Sequence, residues 1–274
     1  LGRSLLYAGG IRDSSFDWYW IKKKGIMPTP NPIFKSKTCC IKIHDKFRPF
    51  RNIFVSYPGE IVKVIVIIRN PLDTLLSSIN FFRVVYKNSG GRLPFLHRIS
   101  LRILMPDFRI GEDFLKDFTL EKLRDNGMLD LALDNFGKND TVIPHLFYRS
   151  GAWSDFASSY NQMKIESLKV SYEDLESISI NSMDKSGSIC QKLLKLSRYL
   201  DVDYASLKIG FAQQRRKLLK IRSSQTDSGV CFYHKAASGY WKDYFTPEAC
   251  RKFARIQYSA IVRNGYESIL DQIY

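Results

Sequence analysis

Lys42 and His44 stand two residues apart in Thr38-Cys39-Cys40-Ile41-Lys42-Ile43-His44-Asp45, a β-branched and apolar run that predicts a strand ending in charge. Alternation along a strand puts both side chains on one side, so both can face a single substrate. A histidine there can take a proton from a hydroxyl near neutral pH, while the lysine stabilises charge developing on a transferring group. The same pair also fits a solvated strand end. A second cluster begins at Arg69, directly after the apolar run 63–68. Its planar guanidinium can hold an anion through two parallel bonds. The helix expected after it offers N–H groups and the positive end of a dipole, both suited to phosphate or sulfate. Ser77, two turns into that helix, adds a hydroxyl. An ordinary capped helix with a surface arginine fits these residues too.

Both clusters need a scaffold that gathers strand ends. Residues 63–68 lack polar alternation, which predicts a strand buried on both faces, as in a parallel sheet flanked by helices. Asn70 is a suitable N-cap, Pro71 suits the first helical position and Asp73 completes a capping-box-like spacing, predicting a helix to about residue 82. Residues 112–135 carry apolar residues at roughly helical spacing. Gly151-Ala152-Trp153-Ser154 opens another helix, and 167–172 predicts a second short strand followed by Glu173-Asp174-Leu175. Helices follow near 188–200 and 204–220, with a polar loop at 223–229 and a final helix over 247–265. Residues 22–38 form a turn-rich connector. Strands alternating with helices indicate an α/β fold, and no break splits the chain, so residues 1–274 are expected to form one domain.

Composition narrows the function. The 274 residues are 45% hydrophobic and 14% aromatic, too apolar for a disordered polyelectrolyte. No apolar run approaches the length needed to span a bilayer. Five cysteines without a CxxC pair exclude zinc ribbons and thioredoxin-type motifs, and point to free thiols in a reducing, cytoplasmic setting. The formal charge of +15 suggests an anionic partner. No nucleic-acid motif accompanies it, and no clustered ligands suggest a metal. The chain opens within a helical pattern, without methionine or cap, so a missing N-terminal piece is expected, hiding any signal or anchor.

The motifs combine in order: Lys42-Ile43-His44, then Arg69-Asn70-Pro71-Leu72-Asp73 with Ser77, then Tyr172-Glu173-Asp174-Leu175, then Gly239-Tyr240-Trp241-Lys242. Together they resemble the sulfotransferases that use 3′-phosphoadenosine 5′-phosphosulfate (PAPS). The resemblance implies a P-loop nucleoside-kinase-like fold of three layers, a central parallel sheet with helices on both faces. It implies an enzyme moving a sulfuryl group to an acceptor hydroxyl or amine, with 3′-phosphoadenosine 5′-phosphate as product. His44 matches the family's general base and Lys42 a lysine near the transferring group. Arg69 and Ser77 match contacts to the cofactor 3′-phosphate, and Tyr172 a nucleotide-contacting tyrosine. Phe211 is expected to be core rather than an adenine contact.

Two departures stand out. The family's Arg-Lys-Gly reads His234-Lys235-Ala236, exchanging a permanent cation for a titratable ring and adding a methyl group where a backbone N–H approaches phosphate. Weaker, more pH-dependent cofactor binding is expected of it. The family's Ser/Gly/Thr-rich phosphate loop is also missing, consistent with a truncated chain that transfers sulfate poorly as given. Residues 83–150 are longer than in compact family members and hold Lys87, Arg92, His97, Arg98, Arg102 and Arg109, suggesting an acceptor-side insertion. A small-molecule or saccharide acceptor, acidic or already sulfated, would suit it. Two other readings remain: a non-catalytic relative that binds an adenosine bisphosphate or polyanion, and a phosphoryl-transfer kinase. The kinase reading lacks a Walker-type lysine and acidic magnesium ligands.

Overall fold

The structure is a computed structural model, and it describes residues 64–140, 152–160, 167–180, 187–225 and 238–274. The expected strand at 38–45, the connector at 22–38, and Lys42, His44, His234, Lys235 and Ala236 all lie outside the described residues.

Two strands form a parallel pair, β1 (Val64–Ile68) and β2 (Ser167–Ser171). Their register runs from Val64 opposite Ser167 to Ile68 opposite Ser171, so the two strands end level. Side chains that alternate along a strand sort this pair into two faces. Ile65 and Ile67, opposite Leu168 and Val170, pack with Leu175, Leu193, Leu207 and Phe211 into one core. That core is built with α7 (Tyr172–Ile180), α8 (Gly187–Leu200) and α9 (Tyr204–Gln225). Ile68 turns the other way, onto a larger core of helical residues. Helices therefore cover both faces of the pair, and the fold is α/β with a parallel sheet. Phe211 is fully buried, a core residue as expected. The Tyr199 hydroxyl donates to the Val64 carbonyl and accepts from its N–H, both at 2.9 Å, closing the start of β1.

The larger core surrounds α1 (Pro71–Asn88), whose Leu72, Leu75, Leu76, Ile79 and Phe82 are buried at helical spacing. The helix runs six residues beyond the expected end, because no breaker intervenes before Gly90 and Gly91. After it come α2 (Phe95–Leu104), α3 (Phe114–Asp117), α4 (Leu120–Asp125), α5 (Met128–Asn139) and α6 (Trp153–Ser159). The single helix expected over 112–135 is thus three. Thr119 breaks it by capping α4 through Lys122 N–H, and Gly127 does so again with a left-handed φ of 70°. The C-terminal part holds α10 (Pro247–Arg263), ended before Gly265 at φ 80°, and α11 (Glu267–Ile273), which the sequence reading did not anticipate. The start of the expected loop at 223–229 belongs to α9.

Candidate functional site

Level strand ends have a direct consequence. Because Ile68 pairs with Ser171, the next residues, Arg69 and Tyr172, leave the sheet side by side. The Arg69 guanidinium carbon lies 4.5 Å from the centre of the Tyr172 ring and 5.9 Å from that of Tyr240. Guanidinium over an aromatic face is attractive and fixes the plane of the fork. Its backbone is fixed as well: the Trp153 indole Nε1–H donates to the Arg69 carbonyl at 2.8 Å. Trp153 is in turn set by Asp140, whose carboxylate caps α6 by accepting from Trp153 N–H at 2.9 Å and Ser154 N–H at 3.0 Å. The helix expected to open in this stretch begins at Trp153, and its indole steadies the arginine.

One residue further, the pairing continues through side chains. Glu173 accepts from Asn70 N–H at 2.9 Å and from the Tyr266 hydroxyl at 2.8 Å, joining both strand ends to the C-terminal helices. Burial first, then the Glu173 charge, pushes the Tyr266 phenol far above its ordinary range, so it stays a hydroxyl donor. The Asn70 side chain caps α1 by accepting from Leu72 N–H at 2.9 Å, with Pro71 in the first turn, as expected.

Asp73 departs from expectation. In a capping box its carboxylate would turn back to the Asn70 N–H, but Glu173 holds that donor. Asp73 instead reaches across the fold. One oxygen accepts from Gly239 N–H at 2.6 Å and the other from Trp241 N–H at 3.1 Å. The carboxylate is fully buried, and this desolvation raises its pKa from 3.8 to about 6 against the lowering effects of the Gly239 bond and the Arg69 charge. Glu176, also buried, accepts from Ser238 N–H at 2.8 Å and from the Ser238 hydroxyl. Two carboxylates thus hold consecutive turns of the segment that follows positions 234–236. Between them Gly239 takes φ 79°, and a Cβ there would meet no atom within 4 Å. Gly239→Ala should therefore cost only the left-handed backbone strain, about 1–2 kcal/mol in urea unfolding. A loss well above that range would show that the turn carries more than conformational strain.

Tyr240, buried at the start of the 3₁₀ turn Tyr240–Asp243, completes the aromatic surround of Arg69. Its phenol is kept protonated by burial, well above the ordinary value. Ser77 is half-buried on α1, one helical turn past Asp73 and on the same side of the helix. No hydrogen bond among the described residues joins it to Arg69 or Tyr172. A cleft of about 610 Å³ opens at the strand ends, lined by Ile68, Asn70, Ser171 and Glu173 among others; Arg69, Ser77 and Tyr172 do not line it.

The structure therefore brings Arg69 and Tyr172 together and adds Tyr240, Trp153, Asp73, Glu173 and Glu176, whose roles depend on distant partners. Among the described residues, no group of three or more His, Cys, Asp or Glu is placed to hold a metal, and no helix is long and apolar enough to cross a membrane. An arginine with an aromatic face at parallel strand ends, beside the N-terminus of an 18-residue helix, suits a phosphorylated nucleotide.

No curated protein and no solved structure matches the chain. The family model of the sulfotransferase domain, a P-loop-like α/β fold, matches residues 49–263. The match takes in Arg69, Ser77, Tyr172 and 234–236, and begins after Lys42 and His44. With that span in register with the strand ends, the carboxylate-held turn and the helices on both faces, the chain belongs to the sulfotransferase domain family, whose chemistry is sulfuryl transfer.

Proposed function

We propose that residues 1–274 act as a single domain that moves a sulfuryl group from PAPS to a hydroxyl or amine of a small-molecule or saccharide acceptor. The observation that carries this reading is the Arg69 guanidinium, held over the Tyr172 ring at 4.5 Å where two parallel strands end. Arg69 would grip the 3′-phosphate through its fork, and Tyr172 and Tyr240 would hold it in plane. Ser77 would donate its hydroxyl to the same phosphate. Lys235 and His234 would close on it from the segment whose far side Glu176 and Asp73 fix. Ala236 would offer its backbone N–H to the same phosphate.

For the transfer itself, His44 would accept the proton of the acceptor hydroxyl as that oxygen forms its bond to sulfur. The bond between sulfur and the phosphate oxygen breaks, and the bisphosphate product leaves with the electron pair. Lys42 would neutralise the charge spreading over the sulfuryl oxygens. Residues 83–150 would form an insertion on the acceptor side.

In the full-length protein, His44→Ala should lower sulfate transfer from radiolabelled PAPS, assayed over phenol, steroid and saccharide acceptors, on the order of a hundredfold or more. Binding of adenosine 3′,5′-bisphosphate, followed by calorimetry, should stay near wild type. Lost binding with retained transfer would overturn the assignment.

A further inference from the structure

We propose that the outer face of α2 (Phe95–Leu104) is a docking surface for an anionic lipid membrane. This helix has two unlike sides. His97, Ser100, Leu101 and Leu104 are buried, with the His97 ring centre about 6 Å from those of Phe81 and Phe82 on α1. The opposite stripe is Phe95, Arg98 and Arg102, spaced three and four residues apart and all exposed. Half-buried Leu96, Ile99 and Ile103 run beside it at the same spacing. The face turned to solvent is therefore apolar apart from two guanidiniums.

Three features favour a lipid surface. Phe95 is 66% exposed, by far the most exposed phenylalanine described, and stands at the first turn of the helix behind the exposed Pro94. A ring in that position can enter the boundary between headgroups and acyl chains, with Leu96, Ile99 and Ile103 following at its level. Helix α2 also contains no acidic residue. Arg92 and Arg109, exposed on either side of it, extend its charge, and no ion pair joins any of these four arginines to another described residue. Exposed carboxylates begin only after the helix, at Asp107, Glu112 and Asp113. A row of unpaired guanidiniums complements the phosphate and carboxylate groups of an anionic leaflet. The exposed apolar residues are what set a lipid surface apart from a soluble polyanion, which needs the cations alone. Such docking holds the protein at a membrane without any spanning helix.

The test is co-sedimentation of the full chain with phosphatidylcholine vesicles containing phosphatidylserine, against vesicles of phosphatidylcholine alone. Wild type should bind the anionic vesicles and not the neutral ones. Each arginine near the surface is worth roughly fivefold, so Arg98→Gln with Arg102→Gln should weaken binding about twenty-five-fold. Phe95→Ser, which leaves the charge unchanged, should weaken it severalfold. The matched pair Lys195→Gln with Arg198→Gln, exposed on α8, should leave it close to wild type. Equal losses from the two charge pairs, or no effect of Phe95→Ser, would overturn the proposal by reducing it to overall basicity. So would binding to a soluble polyanion such as heparin that depends on Arg98 and Arg102 without any vesicle binding.

Discussion

Arg69→Ala should weaken the binding of adenosine 3′,5′-bisphosphate by about a hundredfold or more, the largest loss from any single truncation in the site. The guanidinium is expected to make two charge-assisted bonds to one phosphate, each worth about 1.5–3 kcal/mol. Its orientation is secured twice, by the Tyr172 ring at 4.5 Å and by Trp153 on its own backbone carbonyl. Truncating the side chain leaves the second of these intact, so the strand end keeps its path and the loss reports the fork itself. Arg69→Lys separates charge from geometry. A lysine keeps the positive charge but loses the second parallel bond and the planar stacking, so an intermediate loss of about tenfold is expected. Calorimetric titration of the three proteins with the bisphosphate decides the matter. Affinity within threefold of wild type for Arg69→Ala would remove this residue from the phosphate site.

The second large effect belongs to Asp73 and depends on pH. Its folded pKa of about 6 lies above the ordinary value of 3.8, so the folded protein binds this proton more tightly than the unfolded chain. Stability from this group is fully present below about pH 4 and is lost as pH rises through 6. The loss is about 3 kcal/mol in all, because each tenfold change in proton affinity is worth about 1.4 kcal/mol. Urea unfolding from pH 4 to 7 should show this slope in wild type and not in Asp73→Asn, where no charge is left to desolvate. A flat difference between the two curves would sink the claim.

Asp73→Ala separates the second role of the side chain. It strips the acceptor from both Gly239 N–H and Trp241 N–H, at about 1–3 kcal/mol for each buried donor left alone. It should therefore destabilise the protein most at low pH, where no buried charge is shed in exchange for the lost acceptors. Asp73→Asn keeps one acceptor and sheds the buried charge, and near pH 7 these changes largely offset each other. Arg69→Ala also removes a cation that lowers the Asp73 pKa, so that variant should steepen the same slope.

These two residues also mark where sequence was informative. Asn70 and Pro71 were legible because their partners are neighbours: the cap acts on Leu72, two residues on. The strand at 63–68 was legible because its apolar run demands burial wherever it lands. The neighbourhood of Arg69 and Tyr172 was legible through motif order, since level strand ends bring a residue after β1 beside one after β2, whereas Ser77 shares only the helix that follows Arg69. Asp73 was misread because the local spacing of a capping box is genuine, yet Glu173, 103 residues from Asn70, takes that donor. The bonds of Glu176 to Ser238 and of Trp153 to Arg69 gave no local signal, because those partners lie 62 and 84 residues away. Helix ends were misplaced at Thr119 and Gly127 because an apolar period continues through both, while the backbone is broken by a cap and a left-handed turn.

The long reach of Asp73 has a consequence for synthesis. Trp241 is 168 residues downstream, so at ordinary elongation rates the carboxylate leaves the ribosome roughly ten to thirty seconds before its second partner exists. Throughout that interval it is an exposed acid of ordinary strength beside an arginine with no turn to close upon it. Loop closure over so many residues is slow, and the surround of Arg69 is then the last region to assemble. With the proposed function, the nascent chain would acquire affinity for the bisphosphate in one step, when the C-terminal turn docks, rather than gradually as the sheet forms.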